Sequence, residues 1–335
     1  MIMNLKTFFF ASLMSLTMAP AVEAQNYQLV WSDEFDNNTL GVNWNVEVVA
    51  NPSNRELQYY TDRTANVKVQ DGCLVLTAIK ESFEAKRFTS GRVNSCGKVS
   101  FTHGKIEARI KMPRLANGLW PAFWMMGEDI VTVNWPACGE IDIMEAGHKD
   151  GIANGTVERL YAGNIHWGPN YNEHYMDDAS GMVVADYDIT GDFHTFTCVW
   201  NEESIECYLD DCTAPYYTAS IAQGSASHDY FHKPFHILFN LAVGGDYPGI
   251  LTTSGVTALP NKGDNASMLI DYVRVYQLEG ANNVVSGEND AAVETIAADN
   301  MANTTSWYTL TGIYLQQEPT ASGIYLHNNK LVFKN

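Results

Sequence analysis

Two-residue alternation of apolar and polar side chains limits this chain to β structure. Over residues 104–112, Ile106 and Ile110 lie in phase with one another and alternate with charged neighbours. This is the pattern of a strand with one buried face. The same alternation recurs over residues 235–241, and no stretch has a long helical period. The sequence therefore predicts an all-β sandwich.

A third alternating stretch covers residues 269–275. It places Leu269, Asp271, Val273 and Val275 in one phase, and hence on one predicted strand face. Pairs of turn residues such as Asp-Gly, Asn-Gly and Gly-Gly separate the alternating stretches, as expected between the strands of a sandwich.

The 335 residues divide into four segments. Residues 1–24 combine an early lysine, an apolar run too short to span a bilayer and small residues before position 25, which predicts a signal peptide. Residues 25–278 contain the β pattern and form the main predicted domain. Residues 279–305 are rich in Ala, Asn, Ser and Asp, which is typical of a linker. Residues 306–335 return to short alternating strands.

The net charge of −19 restricts the partners of the chain. Nucleic acids, anionic membranes and sulfated polysaccharides all require basic surface, so none of them is expected to bind. A neutral polysaccharide is compatible with this charge. With a predicted signal peptide and no later membrane span, we expect a protein that is secreted, periplasmic or held at the cell surface. We also expect a monomer.

Six cysteines follow the predicted cleavage site, with no metal-finger spacing. An even number in an exported protein permits disulfides without proving them. Cys198 and Cys207 would face each other if a two-residue turn at Glu202 and Glu203 closed a hairpin. The pairing of the other four cysteines stays open.

Three carboxylates fall within the six residues 140–145: Glu140, Asp142 and Glu145. Strict alternation places Glu140 and Asp142 on one face of a strand and Glu145 out of phase. One extra residue, a β-bulge at Ile143 or Met144, would return Glu145 to the same face. Carboxylates crowded in this way raise at least one pKa, so an ionised and a protonated group can coexist near neutral pH. Glycosidic bond cleavage needs that pair.

Two other interpretations of these acids stay open on the hexapeptide alone. Acidic residues are common on the solvated face of an edge strand, and Ca²⁺ or Mg²⁺ also takes oxygen ligands. Three tryptophans, Trp120, Trp124 and Trp135, precede the acids. A cation site has no use for them, whereas the C–H face of a sugar packs on an aromatic ring. Phe123, between them, is predicted to be core.

The acids and the tryptophans belong to a set of motifs that resembles glycoside hydrolase family 16, and within it the laminarinase-type endo-β-1,3(4)-glucanases. The resemblance covers about residues 26–278. It is carried in order by residues 31–35 (WSDEF), 54–60 (NRELQYY), 104–109 (GKIEAR), 118–126 (GLWPAFWMM), 135–145 (WPACGEIDIME), 240–245 (NLAVGG) and 271–276 (DYVRVY).

This resemblance implies a β-jelly-roll of two antiparallel sheets with a concave substrate cleft. It implies a retaining hydrolase with Glu140 as nucleophile, Asp142 as its helper and Glu145 as acid/base. The two residues between Asp142 and Glu145 are similar to the spacing of laminarinases and agarases, whereas strict lichenases lack one of them. Internal β-1,3 and mixed-linkage β-1,3-1,4-glucan bonds are therefore the expected substrates. The alternatives are lichenase-type, agarase or transglycosylase activity, or a non-catalytic carbohydrate-binding module.

The resemblance also suggests binding residues outside the acidic hexapeptide. Asn54 and Arg92 are expected to contact the sugar, and Trp120, Trp124 and Trp135 are expected to hold glucosyl rings. His166 resembles a residue on the strand beside the nucleophile, although a His next to a Trp is more often simply packed. We expect His166 to contact the substrate or the acid/base.

No cofactor is required for the predicted chemistry. Members of the resembled family often carry a structural Ca²⁺ away from the cleft, for which Glu34 and Asp271 are the candidate ligands. At the other end of the chain, residues 306–335 resemble the C-terminal sorting tails of exported Bacteroidetes proteins. The alternative is a small strand module docked on the catalytic domain.

Overall fold

The computed structural model describes residues 26–177 and 181–286, together with the backbone of four short strands between residues 307 and 334. The chain forms two compact units, one ending at Val285 and the other beginning at Ser286. The predicted signal peptide and most of the predicted linker lie outside the described residues.

The larger unit is a sandwich of two sheets, as predicted, with nearly all strand pairs antiparallel. Apolar side chains from both sheets form one continuous core, in which Phe123 stacks on Phe239 at a centroid distance of 4.8 Å. Removal of these apolar side chains from water is the main driving force for packing the two sheets face to face. The first sheet contains the strands Tyr27–Asp33, Gln58–Tyr60, Val67–Gln70, Cys73–Ile79, Phe88–Ser90, Gly104–Lys111, Phe193–Trp200, Ser204–Leu209, Tyr217–Ser220 and Asn265–Leu278.

The second sheet carries the acidic hexapeptide. We call Glu140–Ala146 the acid strand; it pairs on one side with Leu119–Gly127, the tryptophan strand, and on the other with Leu160–Asn170, the histidine strand. The acid strand is therefore an inner strand, which contradicts the interpretation of the three acids as residues on the solvated face of an edge strand. The sheet also contains Asn45–Val46, Arg92–Asn94, Val99–Phe101, Glu173–Met176, Gly181–Val184 and Phe235–Val243. A two-residue strand, Val285–Ser286, lies at the boundary between the units.

Helical structure is confined to short connections in the described part of the chain. Two α-helices cover Ile130–Val133 and Lys149–Asn154, and two 3₁₀ turns cover His228–Tyr230 and Thr253–Gly255. None of these helices has the length and apolar character needed to cross a membrane.

Alternation correctly predicts Gly104–Lys111, in which every second side chain is buried. It is wrong about Phe235–Val243, where all nine residues are buried because protein covers both faces of the strand. Alternation is also wrong about Asn265–Leu278, where it places Asp271 and Val273 on the same face. A bulge between Ile270 and Tyr272 shifts the register, so Ile270 and Val273 are buried while Asp271 is not.

The predicted hairpin is confirmed. Trp200 pairs with Ile205, and Cys198 lies directly opposite Cys207, so Glu202 and Glu203 form a two-residue turn. Both cysteines are fully buried thiols. A disulfide between them stays a prediction.

The smaller unit contains a four-stranded sheet built from the strands Trp307–Thr309, Tyr314–Leu315, Gly323–His327 and Lys330–Lys334. These strands fall in the segment for which short strands were expected. Its role as a sorting tail stays a prediction.

Candidate active site

The acid strand contains the predicted bulge. On the tryptophan strand, Met126, Trp124 and Ala122 lie opposite Glu140, Asp142 and Glu145 respectively. These partners are two residues apart, so they share one face of their strand. The acid strand contains one extra residue between Asp142 and Glu145, because Ile143 is skipped in the pairing. All three acids consequently project from the same face of the sheet.

The apolar residues of the acid strand explain why the bulge is stable. Ile141 and Met144 lie opposite Met125 and Phe123, and both are fully buried in the core. The bulged Ile143 is fully buried as well, so the irregular backbone is covered. Glu140 and Glu145 are partly exposed and Asp142 is buried between them.

Each of the two glutamates accepts a hydrogen bond from a different indole. Trp120 Nε1 donates to Glu145 Oε1 at 2.9 Å, and Trp135 Nε1 donates to Glu140 Oε2 at 2.8 Å. These contacts orient the carboxyl groups, which is a role the sequence did not suggest for the tryptophans. Trp120 is only 9% exposed and stacks on Tyr247 at 5.0 Å, so it offers little free ring surface to a sugar.

The crowding of the acids has the predicted electrostatic effect. Burial, followed by the negative charge of Asp142, raises the pKa of Glu140 to about 7. Burial and then the charge of Asp142 raise the pKa of Glu145 well above its ordinary value, and Glu140 adds to this shift. Each carboxyl is therefore able to hold a proton near neutral pH, and the two titrate as a coupled pair.

His166 compensates part of the negative charge. It lies opposite Glu140 on the histidine strand, with Nε2 3.1 Å from Asp142 Oδ2. Burial alone would lower the pKa of His166, but the contact with Asp142 and the charges of the two glutamates outweigh it and raise the pKa to about 9. An imidazolium therefore lies beside Asp142 at neutral pH.

His174, to which the sequence assigned no role, completes this contact. Its Nε2 lies 2.8 Å from His166 Nδ1. Burial, followed by the charge of His166, lowers the pKa of His174, which is therefore neutral. Because both nitrogens of the imidazolium carry protons, His166 Nδ1 donates and His174 Nε2 accepts. The position of His174 in the sequence does not indicate this contact. The contact follows from the pairing of Glu173–Met176 with the histidine strand.

The remaining predicted contacts flank the acids on the side of Phe235–Val243. Trp124 Nε1 donates to Asn240 Oδ1 at 2.8 Å, and the guanidinium of Arg92 lies 5.0 Å from the centre of the Trp124 ring. Arg92 is held by Glu47, with 3.0 Å between Nε and Oε1. Asn240 was not predicted, although the NLAVGG motif begins with it.

Asn54 lies in a loop beside the Gly244–Gly245 turn, where its carbonyl accepts from the N–H of Asp246 at 2.9 Å. Its backbone has a φ of +56°, a conformation that asparagine tolerates better than most residues. The contacts of the described residues do not join its side chain to the acids. Its contact with sugar stays a prediction.

Tyr247 is a further residue that the sequence did not single out. Its ring stacks on Trp120, and its buried hydroxyl has no hydrogen-bond partner among the described residues. Burial and then the charges of Glu145 and Asp142 raise its pKa, so the hydroxyl keeps its proton. A buried, unpaired donor near a catalytic candidate is suited to a polar ligand group.

The predicted calcium ligands are both occupied by arginines. Glu34 accepts from Arg274 at 2.9 and 2.7 Å, and Asp271 pairs with Arg109 at 2.6 Å. A cation would have to displace two guanidinium groups, so this pair fits calcium poorly. The calcium site itself stays a prediction. Within the acids, Glu140, Asp142 and His166 have ligand atoms within 4.8 Å of one another, but the charged imidazolium already supplies the positive charge there.

Known proteins resemble the chain over most of the sandwich. The model of "Glycosyl hydrolases family 16" matches residues 53–273. A beta-glucanase of Rhodothermus marinus is 34% identical over 267 residues, which cover 76% of this chain and 87% of the relative. Glucan endo-1,3-beta-glucosidase A1 of Niallia circulans is 33% identical over 281 residues, or 77% of this chain, and the match spans only 39% of that longer relative.

A solved structure gives the same result for the fold. The family 16 enzyme of a Bacteroides ovatus mixed-linkage glucan locus, in complex with a G4G4G3G product, superposes with a TM-score of 0.66 at 37% identity. The superposition covers 74% of this chain and 100% of that one.

Proposed function

The chain belongs to family 16 of the glycosyl hydrolases, and on that premise we propose that it is a retaining endo-glucanase acting on β-1,3- and mixed-linkage β-1,3-1,4-glucan. The bulge that brings Glu140 and Glu145 to one face of the acid strand carries the proposal. Retaining enzymes need two carboxyl groups roughly 5 Å apart, one to attack the sugar and one to manage the proton. The charge of Glu140 contributes to the raised pKa of Glu145, which is consistent with such proximity.

In the first step, ionised Glu140 attacks the anomeric carbon while protonated Glu145 donates its proton to the leaving oxygen. The glycosyl–Glu140 ester is then hydrolysed by a water molecule that Glu145 deprotonates, which restores both groups. The hydrogen bond from Trp135 stabilises the ionised form of Glu140. Burial, and then the charge of Asp142, raises the pKa of Glu145 well above its ordinary value, which favours the protonated form of Glu145 at the start of the cycle.

Asp142 supports this division of protons. Its charge raises the pKa of both glutamates, so one proton is retained by the pair at neutral pH. His166, held in turn by His174, keeps Asp142 paired and prevents three uncompensated charges from facing the substrate. We assign Asp142 and His166 as positioning residues for the proton balance.

The substrate choice is supported by the relatives, which include a β-1,3-glucanase and a structure with a mixed-linkage product. Trp124 and Trp135 are partly exposed beside the acids and can pack on glucosyl rings. A polymer of this kind cannot enter a cell intact, which fits the export predicted from residues 1–24.

Laminarin and barley β-glucan are expected to yield reducing ends in a side-by-side assay, whereas agarose and κ-carrageenan are expected to yield none. The measurement is reducing sugar released per minute at equal enzyme concentration, with the Glu140→Gln variant as the blank. Activity confined to agarose and κ-carrageenan would contradict the assigned substrate. Binding of laminarin without reducing ends would instead identify a carbohydrate-binding module.

Trp135→Phe is expected to move the acidic limb of the pH profile to higher pH. The substitution keeps an aromatic ring and removes the N–H that favours ionised Glu140, so the pKa of Glu140 rises from its wild-type value of about 7. A hydrogen bond to a charged group contributes about 2 kcal/mol, so kcat/KM should fall by about 30-fold below the limb. The measurement is kcat/KM for laminarin against pH.

Trp124→Phe is the matched control for that experiment. Trp124 donates to the neutral amide of Asn240, so its loss should leave the position of the acidic limb unchanged even if KM rises. Equal shifts of the limb in both variants would show that the indole of Trp135 acts only through packing.

A further inference from the structure

A second cluster of polar side chains lies on the same face of the sheet as the acids. Cys96 follows the strand Arg92–Asn94, Glu128 follows the tryptophan strand, and His236 is the second residue of Phe235–Val243. The sulfur, a carboxylate oxygen and an imidazole nitrogen of these residues all lie within 4.8 Å of one another. We call them the Cys–Glu–His cluster.

The sheet register locates this cluster relative to the active site. Met126 lies between His236 on one side and Glu140 on the other, so the three share one row and one face of the sheet. Two strand spacings separate His236 from Glu140, or roughly 10 Å. The cluster is thus close to the acids but contains none of them.

Two buried polar atoms point into the cluster without good hydrogen bonds. His236 is 3% exposed, in a strand that is otherwise apolar near that end, and its Nδ1 lies 3.1 Å from Glu128 Oε2. Neither atom makes a well-aligned hydrogen bond to any other group in the described part of the chain. Burying such atoms is costly unless something else satisfies them.

The backbone around the cluster is fixed by other contacts. Asn94 Oδ1 accepts from the N–H of Cys96 at 3.1 Å, and Asn45 donates to the carbonyl of Cys96 at 2.9 Å. Glu128 Oε1 accepts from the N–H of Gly97 at 2.6 Å, which leaves Oε2 directed at His236. Such outer contacts orient the ligands of metal sites.

We propose that Cys96 Sγ, Glu128 Oε2 and His236 Nδ1 bind a divalent transition-metal ion, for which zinc is the best match. Thiolate, imidazole and carboxylate are the three ligand types of protein zinc sites, and their soft members disfavour Ca²⁺ and Mg²⁺. Ligand atoms around a tetrahedral zinc lie about 3.5 Å apart, and these three atoms lie within 4.8 Å of one another, so side-chain shifts of about 1 Å complete the site. Water from the partly exposed side near Cys96 fills the fourth position.

Charge supports the same assignment. One thiolate and one carboxylate neutralise the ion, and a chain of net charge −19 attracts cations to its surface.

The ion would join three segments of the second sheet: the turn after Arg92–Asn94, the end of the tryptophan strand and the start of Phe235–Val243. Binding of zinc should therefore raise the melting temperature of the whole protein. No step of glucan hydrolysis depends on it, so the two proposals can fail separately.

The test is metal binding by the full-length protein after treatment with a chelator and removal of the chelator. Titration with Zn²⁺ alone is expected to give one tight site per chain and a higher melting temperature. Cys96→Ser should weaken the affinity for Zn²⁺ by more than about 100-fold. Loss of a residue that only orients a ligand costs up to about 100-fold, and Cys96 is itself a ligand. Cys212→Ser, which removes an exposed cysteine elsewhere, should bind as the wild type does.

Co²⁺ provides a readout specific to the proposed ligands. The wild type and Cys212→Ser are expected to show a sulfur-to-cobalt charge-transfer band, which Cys96→Ser should lack. Cys96 is partly exposed, so this variant is expected to fold even if changes at the buried His236 do not. Absence of zinc binding by the wild type, or equal affinity in Cys96→Ser, would overturn the proposal.

Discussion

Glu140→Gln is expected to lose about 10⁴-fold or more of its laminarin turnover while remaining folded. The amide cannot form the glycosyl ester, and losses of this size follow removal of a group that acts covalently. The amide oxygen can still accept the hydrogen bond from Trp135, so the local structure is preserved. Turnover is measured as reducing ends from laminarin, with the melting temperature recorded for the same samples.

The difference in melting temperature between this variant and the wild type should depend on pH. The folded-state pKa of Glu140 is raised to about 7, so the ionised carboxyl destabilises the fold as pH rises from the ordinary value toward 7. Gln removes that penalty, and the variant should melt above the wild type at pH 8 and alongside it at pH 4. Glu203→Gln, in the exposed hairpin turn, is the matched control and should change neither turnover nor melting. Near wild-type turnover in Glu140→Gln would exclude Glu140 as the nucleophile.

Glu145→Gln is expected to lose laminarin turnover by about 10²- to 10⁴-fold, the usual contribution of a general acid and base. The loss should depend on the leaving group. A dinitrophenyl leaving group needs no proton, so an activated aryl glucoside should still form the glycosyl–Glu140 intermediate at a near wild-type rate. The measurement is the burst of dinitrophenolate, followed by slow release that depends on water.

The pH profile gives an independent test of the same residue. In the wild type, activity requires ionised Glu140 and protonated Glu145, so kcat/KM should follow a bell with its acidic limb near pH 7. The basic limb reports the proton on Glu145, whose pKa burial and the charge of Asp142 raise well above its ordinary value. Glu145→Gln should abolish the basic limb. A basic limb that persists in this variant would assign the acid to another group.

The sequence predicts the bulge in the acid strand better than it predicts the strands around it. The positions of three acids in six residues fix the bulge, because only one extra residue restores their common face. The sequence around the bulge between Ile270 and Tyr272 gives no comparable indication. Strict alternation through Asp271 is equally compatible with the sequence there. Likewise, alternation cannot show that a strand such as Phe235–Val243 is covered on both faces, because that depends on residues distant in sequence.

The function of individual groups within a side chain is harder still to predict. A tryptophan before an acidic strand suggests a sugar platform, but the structure shows the N–H of Trp120 and Trp135 bound to the two glutamates. His174 acquires its place only because a short hairpin returns it beside His166. These contacts depend on three-dimensional pairing, whereas the acids and their spacing are local.

Azide rescue of Glu140→Ala and Glu145→Ala tests the division of roles most directly, because the two variants should give products of opposite configuration. With an activated β-glucoside donor, azide in the space left by Glu140 attacks from the opposite face to the leaving group and should yield an α-glucosyl azide. In Glu145→Ala, azide replaces the activated water at the glycosyl–Glu140 ester and should yield a β-glucosyl azide. The anomeric configuration is read by NMR. The same anomer from both variants, or the reverse assignment, would contradict the account.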